Sequence, residues 1–279
     1  MAVERSSGRT TIQPVQPVQS VQSVQPVQSV QPVQSVDRAF RLLERLADTG
    51  GAASISDLAA DTGLPLPTIH RLVRSLIASG YVRQLPSRRY ALGPGLIRLG
   101  ASAGRLLGDW AVPHLKVLVD QIGESANMAV LEGDAVVYVA QVPSPHSMRM
   151  FTEVGRRVLP HCTGVGKALL SALPDEQVRA ILARTGMPAQ TERTITSPDR
   201  LVAELGMIRR RGYAIDDGEQ EPGVRCVAAA VPSQLAGTAA LSVSGPSSRV
   251  TKDRVERIAP LVIAATEDLV ATLGRHGAS

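Results

Sequence analysis

The sequence contains few cysteines, few aromatic residues and no long apolar segment. Its 279 residues contain two Cys, one Trp, four Tyr and two Phe. Two Cys cannot staple a fold of this length, and so few aromatic rings cannot form stacking platforms for single-stranded nucleic acid. No apolar run approaches the roughly 18 residues of a membrane span, and the first residues lack the apolar core of a signal peptide. These absences predict a reducing, cytosolic compartment, no membrane association, and a core of Ala, Val, Leu and Ile.

Lysine is also scarce, because Lys116, Lys167 and Lys252 are the only lysines among 30 basic residues. The net charge is +5, and residues 37–100 hold nine Arg against five acidic residues. Most of the excess positive charge therefore lies in less than a quarter of the chain. This asymmetry predicts a basic N-terminal module and a larger, nearly neutral module. A length of 279 residues with 44% hydrophobic residues fits two such domains.

Residues 13–36 are eight consecutive Gln-Pro/Ser-Val triplets without a charge. A three-residue period with interspersed Pro suits polyproline II and not an amphipathic helix. We therefore interpret residues 1–34 as a disordered tail, with a polyproline ligand for a partner protein as the alternative. From Val36 the period becomes helical, with an apolar stripe that we expect to face the core and that Gly50-Gly51 ends. The stripe consists of Val36, Ala39, Phe40, Leu43, Leu46 and Ala47.

The segment from Ile55 to Val82 carries two helical patterns separated by a Gly-Leu-Pro turn. A helix-turn-helix needs a small residue where the helices cross, a Gly where the chain reverses, and apolar residues facing back from the second helix. These requirements are met in order by Ala59, Gly63, Ile69 and Leu72. Ser54 or Ser56 can cap the first helix, and Pro67 suits the first turn of the second. The sequence therefore predicts a helix-turn-helix whose second helix spans residues 66–79.

The outward face of that second helix is basic, which favours contact with double-stranded DNA over a merely solvated face. Its inward face groups Ile69, Leu72, Val73, Leu76 and Ile77. After Gly80, two short β-rich runs surround the turn Leu85-Pro86-Ser87-Arg88, which predicts the hairpin of a winged helix. Arg88 and Arg89 at its tip would reach phosphate or the minor groove. The predicted DNA-binding residues are Thr68, His70, Arg71, Arg74, Arg88 and Arg89.

The remainder of the chain alternates helical and strand patterns, which indicates an α/β or α+β unit with a mainly antiparallel sheet. Helices are predicted at 110–122, 163–172, 198–211 and 249–273. Strands are predicted at 126–132, 135–142, 213–216, 225–231 and 237–245. We therefore expect a sensor-like sheet with helices on both sides.

Enzyme motifs are incomplete in this second unit. Gly164-Val165-Gly166-Lys167 suggests a phosphate loop, but His161 stands where the motif requires Gly and Ala168 where it requires Ser or Thr. His161 and Cys162 are neighbours in sequence, which does not place them as a base and nucleophile. The two Cys and five His also lack metal-ligand spacing. We expect no catalytic residue, no metal and no cofactor, with an enzyme centred on His161 and Cys162 as the rival hypothesis.

The same Thr-Gly-Val-Gly segment is better suited to binding an anion. A helix that starts there presents free backbone N–H groups at its positive end, which can hold a carboxylate without a basic side chain. Ser242 and Ser244 point to one face of their strand because strand side chains alternate, and Cys226 lies on an apolar neighbouring strand. Packing of small buried residues is an equally plain explanation for these three.

Taken in order, the helix-turn-helix, the wing and the motifs LPHCTGVGKALLSALP and GYAIDDGEQEPGVRCVAAAV resemble the IclR family of bacterial transcription regulators over residues 35–272. The resemblance implies an α+β protein with a winged helix-turn-helix (35–95), a linker helix (96–109) and a GAF-like effector-binding domain (110–279). It also implies a homodimer or homotetramer on a pseudo-palindromic DNA site. Leu66 and Pro67 stand where relatives commonly have a basic residue and Ser, so one phosphate contact is in doubt.

Within the family, HCTGVGKA, GYAIDD, GVRC and LSVSGPSSR look like the allantoin-utilisation repressor branch, which senses glyoxylate. This resemblance assigns the effector-binding residues Gly164, Val165, Asp216, Val224, Cys226, Ser242 and Ser244. Asp216 would bind a hydroxyl of the hydrated aldehyde, because two anions in one pocket repel. The motifs are shared with members that bind aromatic acids, so an activator that senses an aromatic acid is an alternative.

The sequence thus predicts a ligand-responsive repressor of transcription that senses glyoxylate, a related 2-oxo acid or another small carboxylate. A DNA-binding structural protein whose second unit serves only for oligomerisation is a third possibility. We expect the effector to bias the junction near residues 96–112, beside the single Trp110.

Overall fold

The computed structural model describes residues 33–150, 152–232 and 239–276, which divide into two compact units. The first unit ends at Pro94 and the second begins at Gly95. Residues 1–32, which include most of the predicted tail, lie outside the described residues. The boundary of the tail shifts slightly, because helical structure already starts at Gln34 and not at Val36.

The first unit is a winged helix, as the sequence predicts. Its described elements are α1 (Gln34–Asp48), β1 (Ala52–Ala53), α2 (Ile55–Thr62), α3 (Leu66–Ala78), β2 (Val82–Gln84) and β3 (Tyr90–Leu92). The three strands form an antiparallel sheet in the order β1-β3-β2. Strand β1 was not predicted, because two residues are too few for a strand pattern to be visible in the sequence.

Local signals explain the helix-turn-helix. Ser54 accepts a hydrogen bond from the Asp57 N–H at 3.1 Å, and the Asp57 carboxylate accepts one from the Ser54 N–H at 2.9 Å. This capping box starts α2 and selects Ser54 over Ser56 as the cap. Gly63 ends α2 with φ of 66°, a left-handed conformation that Gly adopts without steric cost. Pro67 lies in the first turn of α3, where no N–H is needed.

The core of the first unit corrects two expectations about apolar residues. On α1, Leu42 and Leu46 are fully buried, whereas Val36, Phe40 and Ala47 of the predicted stripe are exposed. The face toward the core is therefore rotated from the predicted one. On α3, Ile69, Val73 and Leu76 are buried but Ile77 is exposed. Ile77 lies at the edge of the apolar arc, beyond the width that α1 and α2 cover. The buried apolar residues of this small core are Leu42, Leu46, Ala53, Leu58, Ile69, Val73, Leu76 and Val82.

The second unit combines one sheet with helices. Its described helices are α4 (Gly95–Leu107), α5 (Val112–Ile122), α6 (Gly164–Ser171), α7 (Asp175–Thr185), α8 (Pro198–Arg211) and α9 (Lys252–His276), with a 3-10 turn at Asp109–Ala111. Its described strands are β4 (Ser125–Glu132), β5 (Ala135–Val142), β6 (Arg157–Val158), β7 (Ala214–Asp217), β8 (Val224–Ala230) and β9 (Ala239–Pro246).

The sheet of the second unit is antiparallel throughout, in the order β6-β5-β4-β9-β8-β7. Apolar residues of α5 and α9 pack on one face of the sheet. Residues of α6, α7 and α8 pack on the other face. The prediction of a mainly antiparallel sheet with helices on both sides is confirmed.

Several boundaries differ from the predictions. Helix α7 and strand β6 were not predicted, and α9 starts at Lys252 instead of Arg249. The predicted linker helix at 96–109 corresponds to α4, which ends at Leu107. Among the residues that the structure describes, no helix is both long and apolar enough to cross a membrane.

Candidate functional site

Helix α3 presents a basic surface on the first unit. Ile69 and Val73 are buried on its inner side, and the opposite side is exposed. That outer side forms a shallow depression of about 450 Å³ lined by Pro67, His70, Arg71, Arg74, Ser75 and Ala78. Thr68 is half-buried at the start of the same helix. The predicted residues of this helix therefore share one surface.

The guanidinium groups of this surface are not used for ion pairs within the unit. In the described part of the first unit, ion pairs form only on α1, from Arg41 to Asp37 and from Arg45 to Asp48 and Asp61. Arg71 and Arg74 remain unpaired, which leaves both available to bind phosphate or a base edge.

The wing confirms the predicted turn but corrects the position of one arginine. Leu85 and Arg89 close the hairpin with an N–H to carbonyl bond of 2.8 Å, and Arg88 has φ of 60° at the tip. The Arg89 guanidinium donates to the carbonyl oxygen of Ala52 on β1. Arg89 therefore does not lie free at the tip as predicted, because β1 holds its side chain. Arg88 is exposed there.

In the second unit, the start of α6 has the geometry of an anion site. The Thr163 hydroxyl accepts a hydrogen bond from the Gly166 N–H at 3.1 Å and caps the helix. The preceding N–H groups, those of Gly164 and Val165, have no partner among the described residues, although both residues are buried. Buried N–H groups without a partner are rare in proteins, so these two need an external acceptor.

The close approach of α6 to the sheet explains its two glycines. A Cβ on Gly164 would lie 2.7 Å from the Cys226 Sγ, and a Cβ on Gly166 would collide with the Pro160 carbonyl oxygen. The Gly-x-Gly spacing therefore serves packing of the helix start against β8 and the preceding loop.

Three small polar side chains meet the helix start. Cys226 pairs with Ser244 across β8 and β9, and Ser242 lies two residues earlier on the same face. Both serines lie beside the Cys226 thiol, whose pKa burial raises to about 11. The Ser242 hydroxyl is completely buried and makes no hydrogen bond of ordinary geometry with the described residues. The structure thus brings Gly164, Cys226, Ser242 and Ser244 together.

Asp216 completes this cluster from the neighbouring strand. It pairs with Cys226 and is 4% exposed. One carboxylate oxygen accepts the Glu219 N–H at 2.7 Å. Burial raises the pKa of Asp216 to about 6, opposed by that hydrogen bond. Both its neutral and its ionised forms are therefore accessible near neutral pH.

Two residues, Val224 and Tyr138, depart from the predicted set of effector-binding residues. Val224 lies on the Cys226 face of β8 and is half-buried; it lines a separate cavity of about 490 Å³ near Thr191 and Gly218. Tyr138 was missed, yet burial and the nearby Cys226 and Asp216 raise the pKa of its hydroxyl. The only signal for Tyr138 in the sequence is that its side chain brings a hydroxyl group into the largely apolar strand AVVYVAQV.

His161 and Cys162 do not form a nucleophile and its base. The Cys162 thiol donates to the Gln220 Oε1 at 2.9 Å, and the His161 Nε2 lies 3.1 Å from the Pro188 carbonyl oxygen. Burial raises the pKa of Cys162 to about 12. A catalytic thiol requires the opposite shift.

Comparisons with known proteins agree with both units. A family model described as the IclR helix-turn-helix domain matches residues 35–86, and one described as the bacterial transcriptional regulator IclR C-terminal domain matches residues 106–271. The chain is 37% identical over 243 residues to the transcriptional repressor IclR of Escherichia coli, covering 85% of this chain and 89% of that protein. It is 33% identical over 242 residues to the repressor AllR of the same species, with the same coverage.

A solved structure also resembles the chain over most of its length. It is an IclR homologue from Microbacterium hydrocarbonoxydans in complex with 4-hydroxybenzoate. The TM-score is 0.75 at 25% identity, and the match covers 87% of this chain and 100% of that structure.

Proposed function

The chain belongs to the IclR family of bacterial transcriptional regulators, and from this premise we propose that it is a cytoplasmic repressor whose DNA affinity changes when a small carboxylate binds. It is not an enzyme. The observation that supports effector binding is a set of buried hydrogen-bonding groups that lie together and have no partner in the described part of the chain. These are the N–H groups of Gly164 and Val165 and the hydroxyl of Ser242.

These groups suit a short 2-oxo acid such as glyoxylate. The two N–H groups at the positive end of α6 would hold the carboxylate. Ser242 and Ser244 would bind the carbonyl or hydrated carbonyl oxygens, and Asp216 would accept from a hydroxyl. The relative that contains 4-hydroxybenzoate supports an aromatic acid as the second candidate effector.

Calorimetry of the full chain with glyoxylate tests this site. The variant Gly164→Ala places a methyl group 2.7 Å from the Cys226 Sγ, so it should displace the helix start and abolish the heat of binding. The matched control is Gly206→Ala on α8, where a Cβ meets only the Arg210 side chain at 3.8 Å. Unchanged binding by Gly164→Ala would place the effector elsewhere.

Two further measurements separate the competing functions. An enzyme would convert the ligand, so glyoxylate and 4-hydroxybenzoate should both be recovered unchanged after prolonged incubation with the protein. A purely structural second unit would give no heat with either acid or with other short carboxylates. Turnover would support the enzyme hypothesis, and absence of all heat would support the structural one.

DNA binding by the first unit is tested with arginine variants. We propose that Arg71 and Arg74, with Thr68 and His70, reach the major groove and that Arg88 reaches the phosphate backbone. Arg71→Ala should then cost about 1 to 3 kcal/mol of binding free energy and relax sequence preference. Arg88→Ala should weaken binding to all sequences alike and reduce the salt dependence.

The operator is first located by footprinting the DNA that flanks the protein's own gene, and affinities are then measured by mobility shift at several salt concentrations. Arg200→Ala is the control, because Arg200 is exposed on α8 of the other unit and makes no ion pair with the described residues. If Arg71→Ala and Arg88→Ala both bind like Arg200→Ala, the assignment of this surface is wrong.

A further inference from the structure

Lys167 is a fully buried cation for which the proposed effector site has no direct use. It lies on α6 two residues after Val165, just beyond the free N–H groups of Gly164 and Val165, which we call the amide cradle, and it is 1% exposed. Its ammonium group is bonded to the Glu219 Oε1. Burying a charge is costly unless it is paired, and a buried ion pair seldom adds net stability over apolar residues. A buried pair of this kind therefore points to a role beyond stability.

Glu219 connects the pair to Asp216 through its backbone. Its N–H donates to the Asp216 Oδ1 at 2.7 Å. Its carbonyl oxygen accepts a hydrogen bond from the Thr194 hydroxyl at 2.6 Å. The side chain of Glu219 is thus bound to Lys167 on α6, while its backbone N–H is bound to the Asp216 carboxylate at the end of β7. The helix that carries the amide cradle and the strand that carries Asp216 are joined at this point.

We propose that Lys167 and Glu219 are a positioning pair for the effector site, which fixes the place and the charge of the Asp216 carboxylate opposite the amide cradle. The consequence for effector binding rests on the proposed function. The action of the pair on Asp216 does not, because it is present whether or not an effector is bound.

The electrostatics agree with this role. Asp216 is faced by charged or titratable groups from every element around it, namely Glu219, Lys167, Cys162, Cys226 and Tyr138. The negative charge of Glu219 raises the pKa of Asp216, and the positive charge of Lys167 lowers it. The two charges act on the Asp216 pKa in opposite directions, so loss of either partner alone should move that pKa in the direction that the lost charge dictates.

The test is a ¹³C NMR titration of the Asp216 carboxyl carbon in the full chain without effector. Glu219→Gln should lower the Asp216 pKa by about one unit, and Lys167→Met should raise it by about one unit. The double variant Lys167→Met/Glu219→Gln should return it toward the wild-type value. A merely structural pair would give no such opposite shifts. Asp134→Asn, which breaks the exposed Arg184 pair of the same unit, should leave Asp216 unchanged.

If Lys167→Met does not fold, the double variant still allows the test, because replacing both partners leaves no unpaired buried charge. The proposal would be overturned if the Asp216 pKa were unchanged in Glu219→Gln, or if it shifted equally in Glu219→Gln and in the double variant. Glyoxylate calorimetry on the same proteins separates the two claims. Absence of binding by the wild type contradicts the proposed function, whereas opposite NMR shifts would still support the positioning role.

Discussion

Asp216 is the residue whose chemistry most constrains the proposed effector site. It is a buried carboxyl group with a pKa raised to about 6, chiefly by burial. A carboxylate effector that stays ionised is repelled by ionised Asp216 but not by the neutral form, which can also donate a hydrogen bond. The protonation state of this single residue therefore sets how well an anion is tolerated.

We expect the affinity for glyoxylate to fall by about tenfold as the pH rises from 5 to 8, because binding favours the protonated form by about one pKa unit. The fall should begin near pH 6, the pKa of Asp216 without effector, and should be complete about one unit above it. Calorimetry across this range provides the measurement. Asp216→Asn should bind with little dependence on pH, and an Asp216→Asn profile that matches the wild type would assign the titration to another group.

The same residue affects stability with a defined sign. A carboxyl group whose folded-state pKa is raised favours the protonated folded state, so its favourable contribution is complete below the unfolded pKa of about 3.9. It is lost as the pH rises through about 6. At neutral pH the ionised Asp216 carboxylate is therefore buried at a cost to the stability of the folded protein.

The sequence alone singled out the start of α6, Cys226, Ser242 and Ser244 of the proposed effector site, whereas Asp216 came only from the family resemblance. Alternation on β9 places Ser242 and Ser244 on one face, and this part follows from the sequence alone. Their juxtaposition with Gly164 depends on long-range packing of α6 on β8, which no local pattern specifies. For the same reason the Lys167 to Glu219 pair, which joins residues 52 positions apart, was not predicted.

At the scale of secondary structure, local signals succeeded where a complete pattern was present. Helix α8 begins at Pro198 and ends before Gly212, as Pro and Gly at its ends indicate. Helix α7 was missed because polar residues fill most of its first turn, and β1 and β6 have two residues each. The rotated core face of α1 reflects tertiary contacts with α2 and α3, which periodicity alone cannot place.

The capping box of α2 should stabilise the first unit measurably. Ser54→Ala removes the side-chain acceptor of the Asp57 N–H, and loss of such a cap costs about 1 kcal/mol. Thermal or urea unfolding followed by circular dichroism provides the measurement. Ser56→Ala is the matched control, because Ser56 is exposed in the same helix and does not cap it. Equal destabilisation by both substitutions would contradict the assignment of Ser54.

The capping box also predicts a pH effect of known sign. Two hydrogen bonds with Ser54 lower the pKa of Asp57. A carboxyl group with a lowered folded-state pKa contributes stability above its unfolded pKa of about 3.9 and loses it as the pH falls further. The difference in stability between wild type and Ser54→Ala should therefore shrink below about pH 4.

At the scale of the whole molecule, the charge distribution separates two tasks. Unpaired arginines lie on α3 and at the wing tip of the first unit, whereas most arginines of the second unit that the structure describes are bound in ion pairs. Two copies of the first unit would bind a pseudo-palindromic site, in accord with the proposed dimer or tetramer. None of the described residues that we assign to the proposed effector site is an arginine.

An effector can release the protein from DNA only if its affinity differs between the DNA-bound and free proteins. Such coupling is typically 1 to 3 kcal/mol, which corresponds to about a 5- to 150-fold change in affinity. The magnitude is reciprocal, so operator DNA should weaken effector binding by the same factor. Trp110, the single Trp of the chain, offers a fluorescence signal for effector binding in the presence and absence of DNA.

Operator affinity with and without glyoxylate, in the wild type and in the double variant Ser242→Ala/Ser244→Ala, tests the central claim most directly. We predict that glyoxylate weakens operator binding of the wild type by about 5- to 150-fold. The double variant should bind the operator with wild-type affinity and show no response, while Ser147→Ala, at an exposed serine of the same unit, should respond fully. A double variant that glyoxylate releases from the operator as readily as the wild type would contradict the account.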